Sequence, residues 1–305
     1  MRADEASGQQ FYLTGSVLGS SKSIAISRET FTEVAEAHAF YVNVILIEEK
    51  YDTVVENYYE FERELIEIAA RHMLFEITDE VFFGQTSLIN RRLLNLLSAA
   101  KMYIDHTRKQ LIAMFGRKSN LVASISEKSE TVKATNTGYF LLEQIRNYSQ
   151  HAGYAVEDFS VGASSTRTND KVLSYYDLRA RINIDSIIGD PKIDRSLRDK
   201  TSEIQGRDAK DLIRDGIDGV SEVHQHLRDG IDLHLTARRD VLHAALALYQ
   251  NQEPRYANES PILVRKENST TTFHRYISKD IIHRLENYRR KNKQLRGLTN
   301  RRVIS

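Results

Sequence analysis

The sequence has no cysteine, and this absence excludes disulfide bonds, zinc sites built from thiolates and cysteine nucleophiles. The absence fits a reducing compartment, so we expect a cytoplasmic location. Proline and glycine are scarce as well, with 3 and 14 among 305 residues, which argues against a low-complexity or disordered chain. The net charge is only +1, so any binding to nucleic acid or to a membrane surface requires a local patch of charge.

Long apolar runs are also missing. The longest run, residues 41–47, is far shorter than the about 20 residues that a membrane-spanning helix needs. Residues 1–8 are polar and partly acidic, and they lack the apolar stretch of a signal peptide. The sequence therefore predicts no association with a membrane.

The chain does contain enough apolar material for a core, since 41% of its residues are hydrophobic and 28% are charged. The hydrophobic residues recur mostly at helical spacing. This spacing predicts a mainly α fold: an antiparallel bundle of long helices, a small antiparallel β element and a second helical region, α+β overall. We expect four segments: an N-terminal hairpin at 1–27, a helical bundle at 28–155, a β hairpin at 156–190 and a C-terminal helical region with a basic tail at 191–305.

Local signals predict where the long helices of the bundle begin. Ser27 is expected to cap the first helix, which is either continuous or divided near Asp52. Thr78 or the residue after it is expected to cap the second helix. A third helix is expected from Ser126 to His151, where a glycine two residues further on can end it.

The second half of the chain mixes strand and helix signals. A polar turn is expected at 162–170 and an alternating strand at 178–185, in a hairpin that we expect to pair with the N-terminal one. A short strand is expected at 261–265 and a final helix at 272–293. Two stretches echo each other, Leu-Ile-Arg214-Asp-Gly-Ile-Asp and His-Leu-Arg228-Asp-Gly-Ile-Asp, but they are too short to imply a repeat architecture.

One stretch brings a strong cation, an amide and a titratable base close together. Arg146 is followed directly by Asn147, and His151 comes five positions after the arginine, at the predicted end of the third helix. The motif Arg146-Asn147-x-x-x-His151 resembles the signature of the HEPN superfamily, and the resemblance covers roughly residues 30–155. HEPN proteins are helical bundles, and many are metal-independent ribonucleases of toxin or antiphage systems.

The resemblance implies a reaction that needs neither a metal nor another cofactor. RNA cleavage can use the adjacent 2′-hydroxyl as its nucleophile, so a base and a fixed cation are sufficient. His151 suits the base and Arg146 suits the cation, because its planar guanidinium matches a phosphate. Asn147 could orient the phosphate, and Tyr148 lies beside it as a supporting residue.

Three polar residues of the second predicted helix, Asn90, Asn95 and Asp105, fall near its buried stripe. Buried polar groups need partners, and hydrogen bonds to neighbouring helices are the plainer interpretation. The functional interpretation is that these side chains orient Arg146 and His151. We count Asn95 and Asp105 as candidate supporting residues.

Helix geometry complicates the motif. Five positions along an ideal helix turn a side chain by about 140°, so Arg146 and His151 do not share one face. Either the helix distorts or ends between them, or a second subunit completes the site. HEPN protomers bring their motifs together in one cleft, so the resemblance implies a homodimer.

Plainer interpretations of the same residues remain open. Arg146 could pair with Glu143 or another acid, and His151 could simply finish the helix. The chain also contains two near-copies of the motif that show how weak spacing alone is: Arg228 with His234 and Arg238 with His243. A histidine-rich stretch contains His224, His226, His234 and His243. It lacks a pair spaced four apart, so a solvated face is favoured over a metal site.

A basic stretch at 284–302 ends the chain with a single acidic residue among many cations. It predicts a phosphate-contacting patch that consists of Arg289, Arg290, Lys291, Lys293 and Arg296. A solvated helix end with a frayed terminus is the alternative.

Three functions follow in order of preference. The first is a HEPN-like metal-independent endoribonuclease that works as a homodimer on RNA, as a toxin or antiphage effector. The second is a non-catalytic helical protein for dimerisation or interaction. The third is a nucleic-acid-binding protein whose function lies in residues 190–305.

Overall fold

Long helices dominate the computed structural model, which describes residues 9–15, 22–168, 171–252, 259–301 and 303. The expected mainly α fold with a small antiparallel β element is confirmed. The helices are α1 (Arg28–Leu74), α2 (Asp79–Phe115), α3 (Asn120–Thr135), α4 (Thr137–His151), α5 (Ile184–Gly189), α6 (Thr201–Ile204), α7 (Ala209–Gln250) and α8 (Asp280–Lys291). The strands are β1 (Gln9–Thr14), β2 (Ser23–Ala25), β3 (Val156–Thr168), β4 (Lys171–Ile182), β5 (Ile262–Glu267) and β6 (Thr270–Tyr276).

Side-chain caps start the long helices where the sequence predicts. The Ser27 hydroxyl accepts a hydrogen bond from the Thr30 amide at 3.0 Å, and α1 then continues without a break past Asp52. The Thr78 hydroxyl accepts from the Val81 amide at 3.4 Å and caps α2. Both caps satisfy amides that have no partner inside the helix.

The prediction of a single helix from Ser126 to His151 is wrong, because the helix is interrupted at Asn136. This residue has φ −116° and ψ 102°, which is extended backbone, and it ends α3 and caps α4. Its side chain accepts from the Tyr139 amide at 2.8 Å and donates to the Asp215 carbonyl at 2.8 Å. The Asn136 side chain thus bonds to the first turn of α4 and to the backbone of α7, and both hydrogen bonds stabilise the interruption between α3 and α4.

Two small antiparallel sheets replace the predicted β arrangement. One sheet has the order β2-β1-β5-β6, and the other consists of β3 and β4 alone. The expected pairing between the two hairpins is therefore wrong. Residues 162–168 continue β3 instead of forming a turn, because β4 pairs with them along its length. Residues 169–170 of the predicted turn lie outside the described residues.

The final helix is also shorter than the predicted range 272–293. Residues 270–276 form β6, which pairs with β5 through a tight turn at Asn268 and Ser269. Both turn residues have positive φ, 47° and 67°, and such turns match the twist of a hairpin. The β-branched and aromatic residues of β6 favour a strand in this position. The short strand expected at 261–265 is confirmed as β5.

The described chain divides into two compact units. The first unit takes residues 1–49 and 228–291, and the second takes 50–227 and 292–305. Both α1 and α7 contribute to both units. The four segments predicted from the sequence stay a prediction as independently folding domains.

The sheet of four strands covers the start of α1 in the first unit. The rings of Phe11 on β1 and Phe31 on α1 lie 4.8 Å apart, and Phe273 on β6 lies 5.3 Å from Phe31. These aromatic contacts tie three segments that are distant in the sequence into one core.

The echoed stretches of α7 have a structural explanation. In the second unit Arg214 binds both carboxylate oxygens of Glu62, each at 2.7 Å. In the first unit Arg228 binds both oxygens of Glu48, at 3.0 and 2.6 Å. The two arginines and the two glutamates have the same spacing, so α7 repeats one ion-pair pattern against α1 in each unit.

Within the described residues, no helix combines the length and the apolar character that crossing a membrane requires.

Candidate functional site

The helix that carries the motif, α4, is held by close backbone contact with α7 in the second unit. A Cβ atom on Gly138 would lie 2.4 Å from the Leu212 carbonyl oxygen and 2.5 Å from the Gly216 amide nitrogen. One on Gly219 would lie 2.8 Å from the Tyr139 Cβ. Only glycine permits this approach. The buried side of α4 consists of residues 138–142, 144 and 145.

The close packing of α4 places Arg146 on the wall of a cavity of about 350 Å³, which we call the Arg146 cavity. It lies within the second unit, and it is lined by residues of α2, α3, α4 and α7. The Arg146 side chain is half-buried, and its Nε is enclosed without a hydrogen-bond partner. Its Nη1 donates to the Asn147 Oδ1 at 3.4 Å. The guanidinium is therefore held loosely, with unused donor capacity.

The alternative pairing of Arg146 with Glu143 is wrong, because Glu143 binds two lysines. Lys101 on α2 lies 3.2 Å from one carboxylate oxygen, and Lys133 on α3 lies 3.3 Å from the other. Burial alone would raise the pKa of Glu143, but the hydrogen bonds and charges of the two lysines outweigh burial and lower it. In the described part of the chain, no carboxylate forms an ion pair with Arg146.

The structure separates the two candidate supporting residues of α2. Asp105 is half-buried and lines the Arg146 cavity, but its partner is Lys101 at 3.2 Å. Asn95 is exposed and does not line the cavity. The expectation that Asn95 lies near the buried stripe is wrong, because its neighbours Leu93, Leu96 and Leu97 form the stripe.

His151 lies in a different environment from Arg146. It is exposed at the last residue of α4 and does not line the Arg146 cavity. The helix does not end between the two residues, since the Ala152 amide still donates to the Tyr148 carbonyl at 2.8 Å. The turn of about 140° that five helical positions impose therefore applies. Within one chain, the two side chains do not meet in one cavity.

Asn147 and Tyr148 lie between these two environments. Both side chains are half-buried. The Tyr148 hydroxyl lies 3.6 Å from the position that a Cβ on Gly153 would take. The Gly153 amide also donates to the Tyr148 carbonyl, at 3.4 Å. The chain therefore passes close to Tyr148 as it leaves α4.

A buried asparagine fixes the segment after α4. Asn90 on α2 donates to the Val156 carbonyl at 2.8 Å and accepts from the Val156 amide at 3.0 Å. The side-chain amide thus forms the two hydrogen bonds that the backbone of a neighbouring strand would form with the start of β3. This pairing positions the connection that follows His151, and a polar residue in an apolar stripe is the signal for it in the sequence.

Sequence reasoning missed several polar residues of the cavity, among them Lys101, Thr107 and Lys133. Lys101 had a detectable signal, because it stands four residues before Asp105 on one helix face. Thr107 and Lys133 had none, since their importance depends on helices that meet only in the folded unit.

Both near-copies of the motif have structural roles in the first unit. Arg228 is buried against Glu48. Arg238 donates to the His234 carbonyl at 3.0 Å, and its guanidinium lies 4.1 Å from the centre of the Phe40 ring. These arginines are engaged by groups of their own chain, so neither near-copy is a candidate site.

The histidine-rich stretch is solvated only in part, since His243 is exposed and His224 is buried. In the second unit His224 is buried, stacks on Tyr51 with ring centres 3.7 Å apart, and bonds to the Tyr103 hydroxyl at 2.7 Å. His226 bonds to the Ser124 hydroxyl at 2.7 Å. Among the described residues, no group of three or more histidine, aspartate or glutamate side chains could hold a metal ion.

Only some side chains of the predicted phosphate-contacting patch are exposed. In the first unit Arg289 lies 3.2 Å from Glu48 and 2.5 Å from Asp232, so its charge is already paired. Arg290 is exposed and donates to Asn287 at 2.8 Å. The remaining three predicted contacts are exposed, and they are Lys291, Lys293 and Arg296.

The alternative of a frayed tail is wrong for most of this stretch. In the second unit Asn292 donates to Asp52 at 2.7 Å, and the Leu295 amide donates to the Ser221 hydroxyl at 2.8 Å. The Leu298 amide donates to Asp218 at 3.1 Å and opens a single 3-10 turn, Leu298–Asn300. Arg302 lies outside the described residues.

A larger and more polar cavity of about 840 Å³ lies beside the β3–β4 hairpin. Its most buried cation, Lys210, donates to Asp177 and to the Leu178 carbonyl, each at 2.8 Å. Burial raises the pKa of Asp208, although amide hydrogen bonds oppose the rise. Lys210 is satisfied by its own chain, whereas Arg146 at the smaller cavity is not.

Comparison of the chain with models of protein families, with curated proteins and with solved structures finds no match.

Proposed function

We propose that this protein is a metal-independent endoribonuclease that works as a homodimer. The resemblance of Arg146-Asn147-x-x-x-His151 to the HEPN signature implies this activity. One observation carries the proposal: Arg146 is half-buried without a carboxylate partner in the described chain, and His151 is exposed at the end of the same helix. An arginine without a counter-charge and an accessible imidazole are the two groups that this reaction requires.

The proposed chemistry uses the RNA itself as the nucleophile. His151 takes the proton of a 2′-hydroxyl, whose oxygen attacks the adjacent phosphorus. Arg146 stabilises the charge on the phosphorane, and Asn147 orients a phosphate oxygen. The bond from phosphorus to the 5′ oxygen then breaks and leaves a cyclic phosphate. The 5′ oxygen takes a proton from water and becomes a hydroxyl, and the hydroxide that remains accepts the proton held by His151.

A second copy of the chain brings the two groups together in this proposal. Exposed apolar side chains cluster where α1 ends and α2 begins, and exposed patches of this kind mark interaction surfaces. They are Met73, Leu74, Phe75, Val81 and Phe83. The Phe82 ring stacks on Phe159 at 4.4 Å, so this connection lies near the segment that follows α4. We call these five residues the apolar end.

The activity test uses purified protein and RNA in excess chelator. We expect the wild type to cleave single-stranded or structured RNA, and His151→Ala and Arg146→Ala to lose at least about a hundredfold in rate, as general-base loss typically costs. His243→Ala is the matched control, because His243 is exposed in a near-copy of the motif. Intact RNA with the wild type, or equal cleavage by His151→Ala, would refute the proposal.

Complementation tests the shared site directly. A mixture of Arg146→Ala and His151→Ala chains forms mixed dimers, in which one of the two sites keeps both residues. We expect the mixture to regain about a quarter of the wild-type activity, since half of the dimers are mixed. A mixture as inactive as its components would place both residues in one chain and contradict the dimer site.

The apolar end also favours a second candidate, a non-catalytic helical interaction protein. Phe83→Asp is expected to produce monomers in light scattering, whereas Leu233→Asp, on an exposed residue of the other unit, is expected to leave the mass unchanged. Dimers that depend on Phe83, together with RNA left intact, would support the interaction protein. If the monomeric Phe83→Asp variant also loses RNA cleavage, the result would support the ribonuclease.

Binding of RNA by the end of the chain is a separate part of the proposal. Lys293 and Arg296, both in the second unit, are exposed, and we expect them to contact phosphates. Lys293→Gln with Arg296→Gln should weaken RNA binding and lower its salt dependence, because each phosphate contact releases counterions. If the dependence of RNA affinity on salt concentration does not change in this variant, these residues do not contact RNA.

An RNA substrate and the absence of cysteine both fit a cytoplasmic location, and cleavage of cellular RNA would make the protein a toxin or a defence effector.

A further inference from the structure

The Arg146 cavity has mostly apolar walls. Its volume of about 350 Å³ is in the range of small-molecule sites, roughly 300–1,000 Å³. Four helices of the second unit contribute aliphatic and aromatic side chains to it. Examples are Leu97 on α2, Ile125 on α3, Leu142 on α4 and Leu227 on α7. The apolar part of a small molecule can pack against such walls.

Two enclosed polar groups on these walls have no partner. One is the Nε of Arg146, and the other is the hydroxyl of Thr107, whose side chain is only 4% exposed. Threonines inside the helices of this protein normally donate to the carbonyl four residues earlier, as Thr86 and Thr131 do at 3.1 and 2.9 Å. Thr107 makes no such bond. Because buried polar groups are nearly always bonded, both groups mark positions where a ligand atom is expected.

The charges at the cavity define the sign of the ligand. The two carboxylates of Glu143 and Asp105 together balance the charges of Lys101 and Lys133. Arg146 remains as the half-buried cation without a carboxylate in the described chain. A guanidinium binds carboxylates and phosphates through two parallel hydrogen bonds.

We propose that the Arg146 cavity binds an amphipathic anion, a carboxylate or a phosphate monoester on an apolar body. The anionic group accepts hydrogen bonds from Arg146, and the apolar body lies along the aliphatic walls with a polar atom near Thr107. This inference does not rest on the proposed ribonuclease activity, because binding is measured in the absence of RNA.

Calorimetric titration of the full-length protein tests the proposal with simple probes. Decanoate and decyl phosphate have both features of the ligand, decanol lacks the charge, and acetate and inorganic phosphate lack the apolar body. We expect saturable binding of decanoate or decyl phosphate at one site per chain. Decanol should bind at least about tenfold more weakly, because the charge-assisted bonds to Arg146 are absent. The two ions without an apolar body should give no saturable heat.

Variants assign the binding to the cavity. Arg146→Gln should lose at least about tenfold in affinity for the anionic probe and leave decanol unchanged. Arg91→Gln is the matched control for net charge, since Arg91 is exposed on α2 outside the cavity. Ser126→Phe, which fills the cavity from α3, should abolish binding, with circular dichroism as the check that each variant folds.

Several outcomes would overturn the proposal. These are absence of saturable binding of both anionic probes, equal affinity for decanol, or unchanged affinity in folded Arg146→Gln or Ser126→Phe protein. Failure of RNA cleavage with retained decanoate binding would refute only the ribonuclease, and the reverse result would refute only the cavity ligand.

Discussion

At the scale of single residues, surroundings rather than spacing distinguish Arg146 from its near-copies. Three arginines precede a histidine at similar distances in this chain. Arg228 is used by a buried glutamate and Arg238 by an aromatic ring, whereas Arg146 keeps an enclosed donor without a partner. A motif of this kind gains meaning only from the groups that the fold leaves unsatisfied.

Asn90 provides a test at this scale. We expect Asn90→Leu to lower the free energy of unfolding by about 2–4 kcal/mol, because it leaves the amide and the carbonyl of Val156 buried without partners. Asn95→Leu is the matched control on the exposed side of the same helix, with an expected effect below about 0.5 kcal/mol. Urea denaturation measures both, and a cost for Asn90→Leu no larger than that of the control would refute the bridging role.

The residue scale also shows how far sequence reasoning reaches. The caps Ser27 and Thr78 were predictable, because a cap depends on the next three residues alone. The roles of Thr107 and Lys133 were not, because they depend on side chains from other helices. Asn95 was misplaced because a helical residue adjacent to a buried stripe can lie on either side of its edge.

At the scale of elements, the crossing of α4 and α7 depends on glycine. We expect Gly138→Ala to lower stability by about 1–3 kcal/mol, because the new methyl group would meet the backbone of α7 and not a side chain that can move. Gly84→Ala on α2 is the control, since no atom lies within 4 Å of its Cβ position. Alanine there should stabilise the helix by about 0.5–1 kcal/mol. Thermal denaturation measures both variants. Melting temperatures that change in the same direction in both would contradict the close approach of α4 and α7.

The cluster of Lys101, Lys133 and Glu143 joins α2, α3 and α4 and predicts a dependence on pH. Because the pKa of Glu143 is lower in the folded state, its contribution to stability is present above the pKa of the unfolded chain and is lost as pH falls through the folded pKa. We expect Glu143→Gln to reduce the loss of stability between about pH 5 and pH 3.

Urea midpoints measured across this range test the cluster. Glu127→Gln on α3 serves as a control for the loss of one carboxylate, because no ion pair in the described chain involves it. Parallel acid profiles for the wild type and Glu143→Gln would show that the cluster contributes nothing to stability.

Elements differed in how well periodicity predicted them. The helices α1 and α2 were predictable from their long apolar stripes. The break at Asn136 was not, because its cap is completed by the Asp215 carbonyl on α7. The sequence predicts helix where β6 lies, since a short stretch of this composition becomes a strand only when β5 supplies its partner.

At the scale of the whole molecule, one ion-pair pattern stabilises both units to different degrees. Glu48 is 1% exposed beside Arg228, whereas Glu62 is 17% exposed beside Arg214. Removal of one partner from a buried pair costs about 3–5 kcal/mol, and exposure to solvent lowers that cost. We therefore expect Arg228→Met to destabilise the protein more than Arg214→Met, although Arg289 stays 3.2 Å from Glu48 and lowers the cost.

Differential scanning calorimetry of the two arginine variants tests this order. Arg91→Met, on an exposed residue of α2, controls for the change in charge. An equal loss for both variants, or a larger loss for Arg214→Met, would contradict the link between burial and the strength of the pair.

The division of α1 and α7 between two units has a consequence for synthesis on the ribosome. Strand β1 pairs with β5, and Gln9 and its partner Glu267 are 258 positions apart in the sequence. The apolar strand and the start of α1 therefore stay uncovered during translation until β5 has been made. A nascent chain of this kind is expected to engage chaperones, and messages truncated before β5 are expected to yield aggregates instead of a folded half.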